Sequence, residues 1–452
     1  MNEMRKPDLI RAVRADFVPQ EDNTSATVAA LEKQKLWPRV WQVACREEEI
    51  VQVGNFVTYD ILDQSIIVVR STATTIKAFH NVCLHRGRQL TSGCGSVTKL
   101  HCPFHGWQWS LEGDLLRIQD RENWEGFAHM ADADLSLSQV HVETWGGFVF
   151  INMAEDPEPF DQFMAPVRRA LDPMKFEDMR FGWYKTMIID ANWKTALEAF
   201  MESYHVAMIH PQYLPLVDEK NASYAEGAHG KHNYLLERPM GAPSQRTGKP
   251  VPDDLRAGIA GVLSVFKEWV GDAEGKGQVT VRSVDAAQRV LTELPAGTPA
   301  MDVTMAAIGF MMEAAAKEGV QWPILTMEQV IDAGVDWNVF PNLVLVFAFD
   351  GCLVFRSRPN GNDTESCIFD MWSILRMAPH EVPPLQREFF SDWRQHVDKI
   401  PRLLVQDLRN MGFVQRGMHS LGLKDKGLRT NPVQEVQVSH FHRVLHQYLY
   451  GE

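Results

Sequence analysis

The pattern of hydrophobic and polar positions changes along the chain and divides it into three parts. Residues 1–36 are charged and helix-like, and they predict an arm that packs on another part of the molecule. From residue 37 to residue 152, short runs rich in β-branched and aromatic residues are separated by turns that contain Gly and Asp, which predicts small antiparallel sheets. The acidic, proline-broken stretch that follows is typical of a linker, so a second domain is predicted over residues 153–452.

The second domain mixes the two periodicities, which makes the predicted class of the whole chain α+β. Strands are predicted at 182–189 and at several places within 336–377. Predicted helices are 192–209, 383–397, 401–418 and 432–449, together with a helical insertion over about 250–335. The last three helices each begin with Pro, which is tolerated in a first turn because its missing N–H would have no partner there.

Composition narrows the class of protein. Hydrophobic residues make up 45% of the chain and charged residues 23%, as in ordinary globular proteins. A formal net charge of −13 argues against nucleic acid as a partner. No stretch of about 18 apolar residues predicts a membrane span. The N-terminus lacks the pattern of an export signal, so we expect a cytoplasmic protein, in which six sparse cysteines do not form a disulfide scaffold and paired Cys/His spacings indicate metal binding.

Two short segments each offer one thiol and one imidazole, in the order Cys83-x-His85 and Cys102-x-x-His105. In a Rieske [2Fe–2S] centre two Cys hold one iron and two His hold the other, which this mixture satisfies. The alternative is a structural zinc site, but zinc fingers pair Cys with Cys and His with His. Cys94 lies between the segments and matches no ligand spacing, so we predict a structural role for it.

The Cys-x-His-Arg-Gly and Cys-Pro-x-His-Gly-Trp signatures resemble those of aromatic-ring-hydroxylating dioxygenase α subunits, a Rieske non-haem iron family. The resemblance implies that Cys83 and Cys102 bind the inner iron and that His85 and His105 bind the outer iron. It also implies an N-terminal all-β Rieske domain and a C-terminal helix-grip domain, in which a bent antiparallel sheet and its helices hold a mononuclear iron.

A second group of ligand residues lies on the predicted helix 192–209 and just beyond it. Glu202, His205 and His210 are spaced so that the two His, with one further carboxylate, match the facial triad of non-haem Fe(II) oxygenases. His210 would leave the face of His205 on an ideal helix, but Pro211 predicts that the helix ends there. The alternative is a pair of polar helix residues in a satisfied hydrogen-bond network.

The family resemblance extends to this segment and to the C-terminal helix. The acid-x-x-His-x₄-His pattern after Asn-Trp-Lys resembles the family's iron signature, and the segment VQDLRNMGFVQRGMHS makes Asp407 the implied third ligand. Asp398 is the rival carboxylate. The resemblance implies that Glu202 does not bind iron but bridges His205 to His105 of a neighbouring subunit, in a head-to-tail homotrimer. The alternative role for Glu202 is a buried acid in a helix network.

The resemblance implies a terminal oxygenase component that receives electrons, ultimately from NAD(P)H, through a ferredoxin or reductase. It would use them to activate O₂ and to hydroxylate or dihydroxylate an apolar, aromatic substrate, as in aromatic hydrocarbon catabolism. Ring dioxygenases usually carry Asp where this chain has Glu202, and Glu is more typical of relatives that act on amines and methyl groups. The alternative is therefore a Rieske O- or N-dealkylating monooxygenase acting on a methoxy or amine compound.

Two other classes of protein remain open, a Rieske electron-transfer protein and a metal-free ligand-binding module on the same bent sheet. A homotrimer is expected, either alone or with a small β subunit, and the form with the β subunit would be an α₃β₃ assembly. Residues beside the iron ligands are predicted to line the substrate pocket, and these are Phe200, Met201, Val206 and Met208. The methionines of the helical insertion form either an adaptable apolar lid or simply helix core.

Overall fold

The computed structural model describes residues 12–127, 130–235, 237–423 and 426–451. The chain divides into two compact units, one of residues 32–162 and one that combines the residues up to 31 with residues 163–452. Part of the predicted N-terminal arm, residues 1–11, lies outside the described residues. The predicted domain boundaries stay predictions. No described helix has the length and apolar character needed to cross a lipid bilayer.

The smaller unit is built almost entirely of β-structure. Its strands are β1 (Gln42–Arg46), β2 (Asn55–Ile61), β3 (Gln64–Arg70), β4 (Ile76–His80), β5 (Cys94–Ser96), β6 (Leu100–His101), β7 (Gln108–Trp109), β8 (Leu115–Arg117), β9 (Gln139–Trp145) and β10 (Phe148–Asn152). Seven of them form an antiparallel sheet in the order β1-β10-β9-β4-β3-β2-β5, and the others form a small sheet β6-β7-β8. The predicted all-β character of this region is confirmed.

The larger unit is organised around a second sheet. Its strands are β11 (Arg180–Ile189), β12 (Asn221–Glu226), β13 (His229–Tyr234), β14 (Asp336–Val339), β15 (Leu343–Phe347), β16 (Gly351–Asn360), β17 (Asp363–Leu375) and β18 (Arg387–Phe390). Their order is β12-β13-β14-β15-β16-β17-β11-β18, and only β18 runs parallel to its neighbour among the described pairs. Apolar side chains on β16 and β17 are almost all buried, so this long hairpin forms the centre of the sheet.

Some helices of the chain pack on this sheet, and others pack on one another. The helices are α1 (Glu21–Thr24), α2 (Ala26–Leu31), α3 (Phe160–Phe163), α4 (Ala165–Leu171), α5 (Trp193–Glu198), α6 (Val206–Ile209), α7 (Arg256–Val270), α8 (Val281–Ala287), α9 (Val290–Glu293), α10 (Ala300–Lys317), α11 (Met327–Ala333), α12 (Arg402–Met418) and α13 (Val436–Tyr450). Helices α5, α12 and α13 pack on the sheet, as a helix-grip domain requires. The predicted α+β class is confirmed.

The helical insertion over about 250–335 contains α7 to α11, of which α7 to α10 pack on one another and α11 contacts α4. Met311 is buried in this helical core together with Val303 and Ala307 of the same helix. Met301 and Met305, in contrast, are 60% and 52% exposed. One face of α10 therefore contributes to the helical core, and Met301 and Met305 in its first two turns are exposed.

The prediction of one continuous helix over 192–209 is wrong. Asn192 caps α5 by accepting a hydrogen bond from the N–H of Lys194, and α5 then ends at Glu198. The N–H of Met201 bonds the carbonyl of Glu198 at 3.1 Å, a three-residue turn that ends the α-helical pattern. Phe200 is fixed at this turn because its ring stacks on Phe355 of β16 at a centroid distance of 3.9 Å. Tertiary packing thus overrides the apolar periodicity of the segment.

The predicted helix at 383–397 is also wrong. Residues Arg387–Phe390 form the edge strand β18, and Trp393–Lys399 form a 3₁₀-helix that is interrupted at His396. Phe390 and Trp393 are buried, and β18 pairs with β11 in parallel. Pairing with an exposed sheet edge therefore determines the conformation here, which no local pattern in the sequence could indicate.

A buried ionic network ties the N-terminal segment to the C-terminal helix. Asp22 of α1 accepts hydrogen bonds from Nδ1 of His442 at 2.8 Å and from Nε2 of His446 at 2.9 Å. Nε2 of His442 donates to Oε1 of Glu198 at 2.8 Å, and Asn23 donates to the same oxygen at 3.2 Å. Burial alone would lower the pKa of His442, but Glu198 and Asp22 outweigh it and raise the pKa to about 9.

Because of this network, we expect the free energy of unfolding to fall at high pH. Because the pKa of His442 is raised above its unfolded value of about 6.5, its contribution is complete below that pH and is lost as the pH rises through about 9. The pKa of Asp22 lies at about 2 although burial opposes this, so its contribution is lost only in strong acid. His442→Gln should therefore remove much of the decline between pH 7 and 10.

Urea denaturation followed by tryptophan fluorescence measures this effect. Asp22→Asn should cost about 3–5 kcal/mol, as when one partner of a buried ion pair is removed. Asp16→Asn is the matched control, because Asp16 is exposed and pairs with Arg14 and Arg429 at the surface. Equal losses in the two Asp variants, or an unchanged pH dependence in His442→Gln, would contradict the interpretation.

Candidate metal centres

The first candidate centre is formed by two loops of the smaller unit with the same backbone geometry. The N–H of Gly87 donates to the carbonyl of Cys83, and the N–H of Gly106 donates to the carbonyl of Cys102, both at 2.9 Å. Both glycines have a positive φ, 71° and 74°, which a residue with a Cβ adopts only with strain. The glycine that follows each Cys/His segment is therefore required for the tight turn.

These loops place their four candidate ligands at one end of the unit. Cys83 and Cys102 are buried in a core with Phe79, Trp107 and Trp109, whereas His85 and His105 are only partly buried. The Nδ1 atoms of the two His lie 3.1 Å apart. Two ligand nitrogens of a single metal ion can lie at this separation, since metal–nitrogen bonds are about 2.0–2.1 Å.

The donor set fits a Rieske cluster. Burial raises the pKa of the Cys83 thiol and contact with Cys102 raises it further, so two thiolates require a positive centre between them. A [2Fe–2S] cluster held by two inner Cys and two outer His would meet this need. Cys94 is exposed on β5, in agreement with its predicted exclusion from the ligands.

The cysteines provide a matched test of the cluster. Protein purified without oxygen should be red-brown and, when reduced, should give a Rieske-type EPR signal. Cys102→Ser should abolish both, because a buried thiolate ligand is lost, and Cys94→Ser should retain both. A colourless wild-type protein that contains only zinc would contradict the assignment, as would loss of the signal in Cys94→Ser alone.

The second candidate centre lies in the larger unit, where the end of α6 approaches α12. One ligand atom each from His205, His210 and Asp407 lies within 4.8 Å of the others. Nε2 of His210 is 3.0 Å from Oδ1 of Asp407, and Nε2 of His205 is 3.6 Å from the same oxygen. Asp398 is exposed and does not belong to this group. The structure therefore brings together the three residues that the sequence singled out.

Hydrogen bonds orient His205 for metal binding. Its Nδ1 donates to Oε1 of Glu202 at 2.6 Å, and its backbone N–H donates to Oε2 of the same residue. Burial alone would lower the pKa of His205, but the charges of Glu202 and Asp407 raise it to about 9. The carboxylates of Glu202 and Asp407 thus favour a positive charge at the imidazole of His205. A proton supplies this charge when no metal is bound, and a metal cation can supply it instead.

His210 has a different set of neighbours, and the sequence analysis missed them. Its Nδ1 donates to Oε1 of Gln406 at 2.9 Å, and Gln212 donates to that oxygen as well. The ring of Tyr213 lies 6.2 Å from that of His210 and packs on Phe266. Burial raises the pKa of Tyr213 well above its ordinary value, so it stays a neutral phenol. The positions of Gln406 beside Asp407, and of Gln212 and Tyr213 just after His210, were the available signals.

Two of the four residues predicted to line a substrate pocket are fully enclosed. Met201 is buried, and the ring of Phe200 stacks on the rings of Phe355 and Phe369 of the sheet. Val206 is partly buried, whereas Met208 is 83% exposed. Met208 lies on α6, which is a single turn and does not continue α5. A pocket lined by these four residues stays a prediction.

Both units match known family models. The model for the ring hydroxylating alpha subunit (catalytic domain) matches residues 176–451, and the model for the Rieske [2Fe-2S] domain matches residues 40–130. A β-rich unit with paired Cys/His loops, followed by a sheet domain with a two-His, one-Asp group, defines a Rieske-type non-haem iron oxygenase. The first match spans more than half of the chain, and the chain therefore belongs to the ring hydroxylating alpha subunit family.

Curated relatives include oxygenase subunits of two monooxygenases and the alpha subunit of a dioxygenase. The chain is 36% identical over 211 residues to the glycine betaine monooxygenase oxygenase subunit of Chromohalobacter salexigens, which covers 46% of each protein. It is 31% identical over 238 residues to the carnitine monooxygenase oxygenase subunit of Escherichia coli, covering 51% of this chain and 61% of that protein. The toluate 1,2-dioxygenase subunit alpha of Pseudomonas putida is 29% identical over 193 residues, 40% of this chain and 42% of that subunit. The chain thus spans about half the length of the curated relatives it matches.

Solved structures show the same fold over nearly the whole chain. The quaternary ammonium Rieske monooxygenase CntA in complex with L-carnitine aligns over 97% of this chain and 99% of that chain, with a TM-score of 0.64 and 18% identity. Naphthalene 1,2-dioxygenase with indole aligns over 98% and 94%, with a TM-score of 0.66 and 17% identity. Since the identities are this low, the two structures establish the fold alone.

Proposed function

We propose that this chain is the oxygenase subunit of a Rieske monooxygenase that oxidises a quaternary ammonium compound at a carbon bonded to nitrogen. The observation that carries the oxygenase part is the convergence of His205, His210 and Asp407. The substrate class is supported by the glycine betaine monooxygenase relative of Chromohalobacter salexigens and the carnitine monooxygenase relative of Escherichia coli, whose identities of 36% and 31% exceed the 29% of the toluate dioxygenase. The relatives therefore favour the amine alternative over the aromatic substrate that the motifs first suggested.

Each group of side chains has a defined task in this proposal. His205, His210 and Asp407 would hold the mononuclear iron and leave coordination positions open, where bound iron supplies the activation of O₂. Cys83, Cys102, His85 and His105 would hold the cluster, which supplies electrons one at a time. Glu202 fixes the ring of His205 by accepting a hydrogen bond from its Nδ1–H group. The ring of Tyr213 lies beside His210 and packs on Phe266.

Glu202 is also the proposed electron bridge. Its carboxylate accepts from His205 on one side, and we propose that it accepts from the partner subunit's His105 on the other. Such a bridge makes each active site depend on two subunits and requires a head-to-tail ring, which we propose to be a homotrimer. Electrons would come from NAD(P)H through a ferredoxin or reductase. A small β subunit is not required by this arrangement.

The overall reaction balances with one O₂ and one reduced nicotinamide. A trimethylammonium compound R–N(CH₃)₃⁺, O₂, NAD(P)H and a proton would give the protonated tertiary amine R–NH(CH₃)₂⁺, formaldehyde, NAD(P)⁺ and water. Hydroxylation of a methyl carbon gives a carbinol, whose C–N bond then breaks to release the aldehyde and leave the electron pair on nitrogen. Oxidation of the longer N-substituent would instead release trimethylamine and a larger aldehyde, so the products identify the carbon attacked.

Product analysis with a reconstituted electron donor tests the proposal. The panel includes glycine betaine, L-carnitine, toluate and naphthalene, with O₂ uptake and products measured together. For each O₂ consumed, a quaternary ammonium compound should yield one molecule of aldehyde and one of amine. His205→Ala should abolish this turnover and retain the cluster spectrum. A dihydrodiol from an aromatic compound, with no oxidation of the amines, would show that the aromatic alternative is correct.

A further inference from the structure

The two candidate iron histidines are supported by chemically different partners. Nδ1 of His205 donates to the carboxylate of Glu202 at 2.6 Å, whereas Nδ1 of His210 donates to the amide oxygen of Gln406 at 2.9 Å. A carboxylate acceptor makes an imidazole a stronger electron donor to a metal, and an amide acceptor does so much less. The two ligands of one ion are therefore unequal in this chain.

Gln406 is itself held in a fixed orientation. Nε2 of Gln212 donates to the same Oε1 atom, also at 2.9 Å, so two donors converge on one acceptor. An amide carries one acceptor oxygen and one donor NH₂ group, and only the oxygen can face two donors. With Oε1 of Gln406 accepting from both donors, the proton of a neutral His210 is on Nδ1.

The orientation has a direct consequence for the metal ligand. With Nδ1 of His210 protonated, its Nε2 lone pair is free and lies 3.0 Å from Oδ1 of Asp407. His210 is 2% exposed, so solvent cannot replace the support from Gln406 without a rearrangement. Gln406 precedes Asp407 on α12, and Gln212 follows His210 by two residues. The side-chain contacts thus join α12 to the 3₁₀-turn after α6 beside the metal group.

We infer that Gln406 is a positioning residue that fixes the tautomer and ring orientation of His210 through a neutral acceptor, and thereby confines carboxylate support to His205. This inference rests on the proposed metal centre and extends it. Among the described contacts of the two Nδ1 atoms, Glu202 is the only carboxylate that accepts a hydrogen bond. The His205 side of the site, where the electron bridge is proposed, therefore has a charged hydrogen-bond acceptor, and the His210 side has a neutral one.

Three variants separate the parts of this inference. Gln406→Leu keeps the approximate size of the side chain and removes the acceptor. Gln406→Glu restores an acceptor of equal length and adds a charge. Gln447→Leu is the control for a Gln-to-Leu change, because Gln447 is exposed on α13 of the same unit. All measurements use the full chain with its cluster intact and with Co²⁺ in the mononuclear site, so that no turnover is needed.

Proton NMR of the Co²⁺ protein reports the two Nδ1 protons directly. The wild type should show two strongly shifted, solvent-exchangeable imidazole signals. Gln406→Leu should lose one of them to fast exchange and bind Co²⁺ about 10–100-fold more weakly, the usual effect of losing such a hydrogen-bond partner. Gln406→Glu should restore the signal and bind Co²⁺ at least as tightly as the wild type, and Gln447→Leu should match the wild type.

The possible results distinguish this inference from the proposed function. Two unchanged signals and unchanged Co²⁺ affinity in Gln406→Leu would overturn the inference and leave the metal centre in place. Weak binding in Gln406→Leu that Gln406→Glu does not rescue would also overturn it, since a general packing role would then explain the loss. A wild-type chain that binds no Co²⁺ would overturn the proposed metal centre and this inference together.

Discussion

Asp407→Ala is expected to remove the mononuclear metal and all turnover while the visible spectrum of the cluster stays unchanged. Asp407 is 4% exposed, and its Oδ1 is the atom that both candidate histidines approach, at 3.0 and 3.6 Å. Without this carboxylate, two neutral imidazoles would have to hold a divalent ion alone. The expected loss of affinity exceeds the about 10–100-fold typical of a residue that only supports a ligand.

Asp398→Ala provides the matched control. Asp398 was the rival acid in the sequence, but it is exposed and lies outside the group of converging ligand atoms. Iron content by mass spectrometry should therefore fall from three to two atoms per chain in Asp407→Ala, because the cluster retains its two, and should stay at three in Asp398→Ala. Retention of the third iron and of activity in Asp407→Ala would show that another acid is the ligand.

Glu202→Gln is expected to leave both metal centres loaded and to slow electron transfer between them by about 100-fold or more. The amide keeps the size of the side chain, and its oxygen can still accept the Nδ1 proton of His205 that Glu202 now accepts at 2.6 Å. It cannot accept from two imidazoles through two oxygens, which the proposed bridge to the partner subunit requires. The affected step is thus electron transfer and not metal binding.

Stopped-flow spectroscopy of pre-reduced protein, mixed with O₂ and substrate, measures oxidation of the cluster. Glu198→Gln is the control, because Glu198 is a carboxylate four residues earlier that bonds His442 and Asn23 instead of a metal ligand. It should oxidise its cluster at the wild-type rate. A wild-type rate in Glu202→Gln would refute the bridge, and a fully active monomer would refute the ring of subunits.

The residues of both candidate centres could be predicted from the sequence because their spacing is local. The two Cys/His loops depend on a turn that each segment completes with its own glycine, Gly87 or Gly106. His205 and His210 lie within one short segment, and Pro211 indicates its end. Asp407 is distant in sequence, and it was identified through the resemblance of its segment to the family pattern.

Features that depend on distant contacts could not be predicted in this way. The break after Glu198 follows from the packing of Phe200 on Phe355, and the strand β18 follows from pairing with β11. The support of His210 by Gln406 joins residues 196 positions apart, and the only signal in the sequence was the position of Gln406 beside Asp407. The substrate class depended on the relatives, because the same set of iron ligands serves aromatic dioxygenases and amine monooxygenases.

Single-turnover product formation measures most directly whether the two metal centres act as one oxygenase. Protein with a fully reduced cluster and loaded mononuclear iron is mixed with O₂ and the quaternary ammonium substrate, with no reductase present, and quenched over time. Aldehyde should form at the rate of cluster oxidation and approach one molecule per mononuclear iron. Complete oxidation of the cluster without product, or equal product from Asp407→Ala, would contradict the assignment.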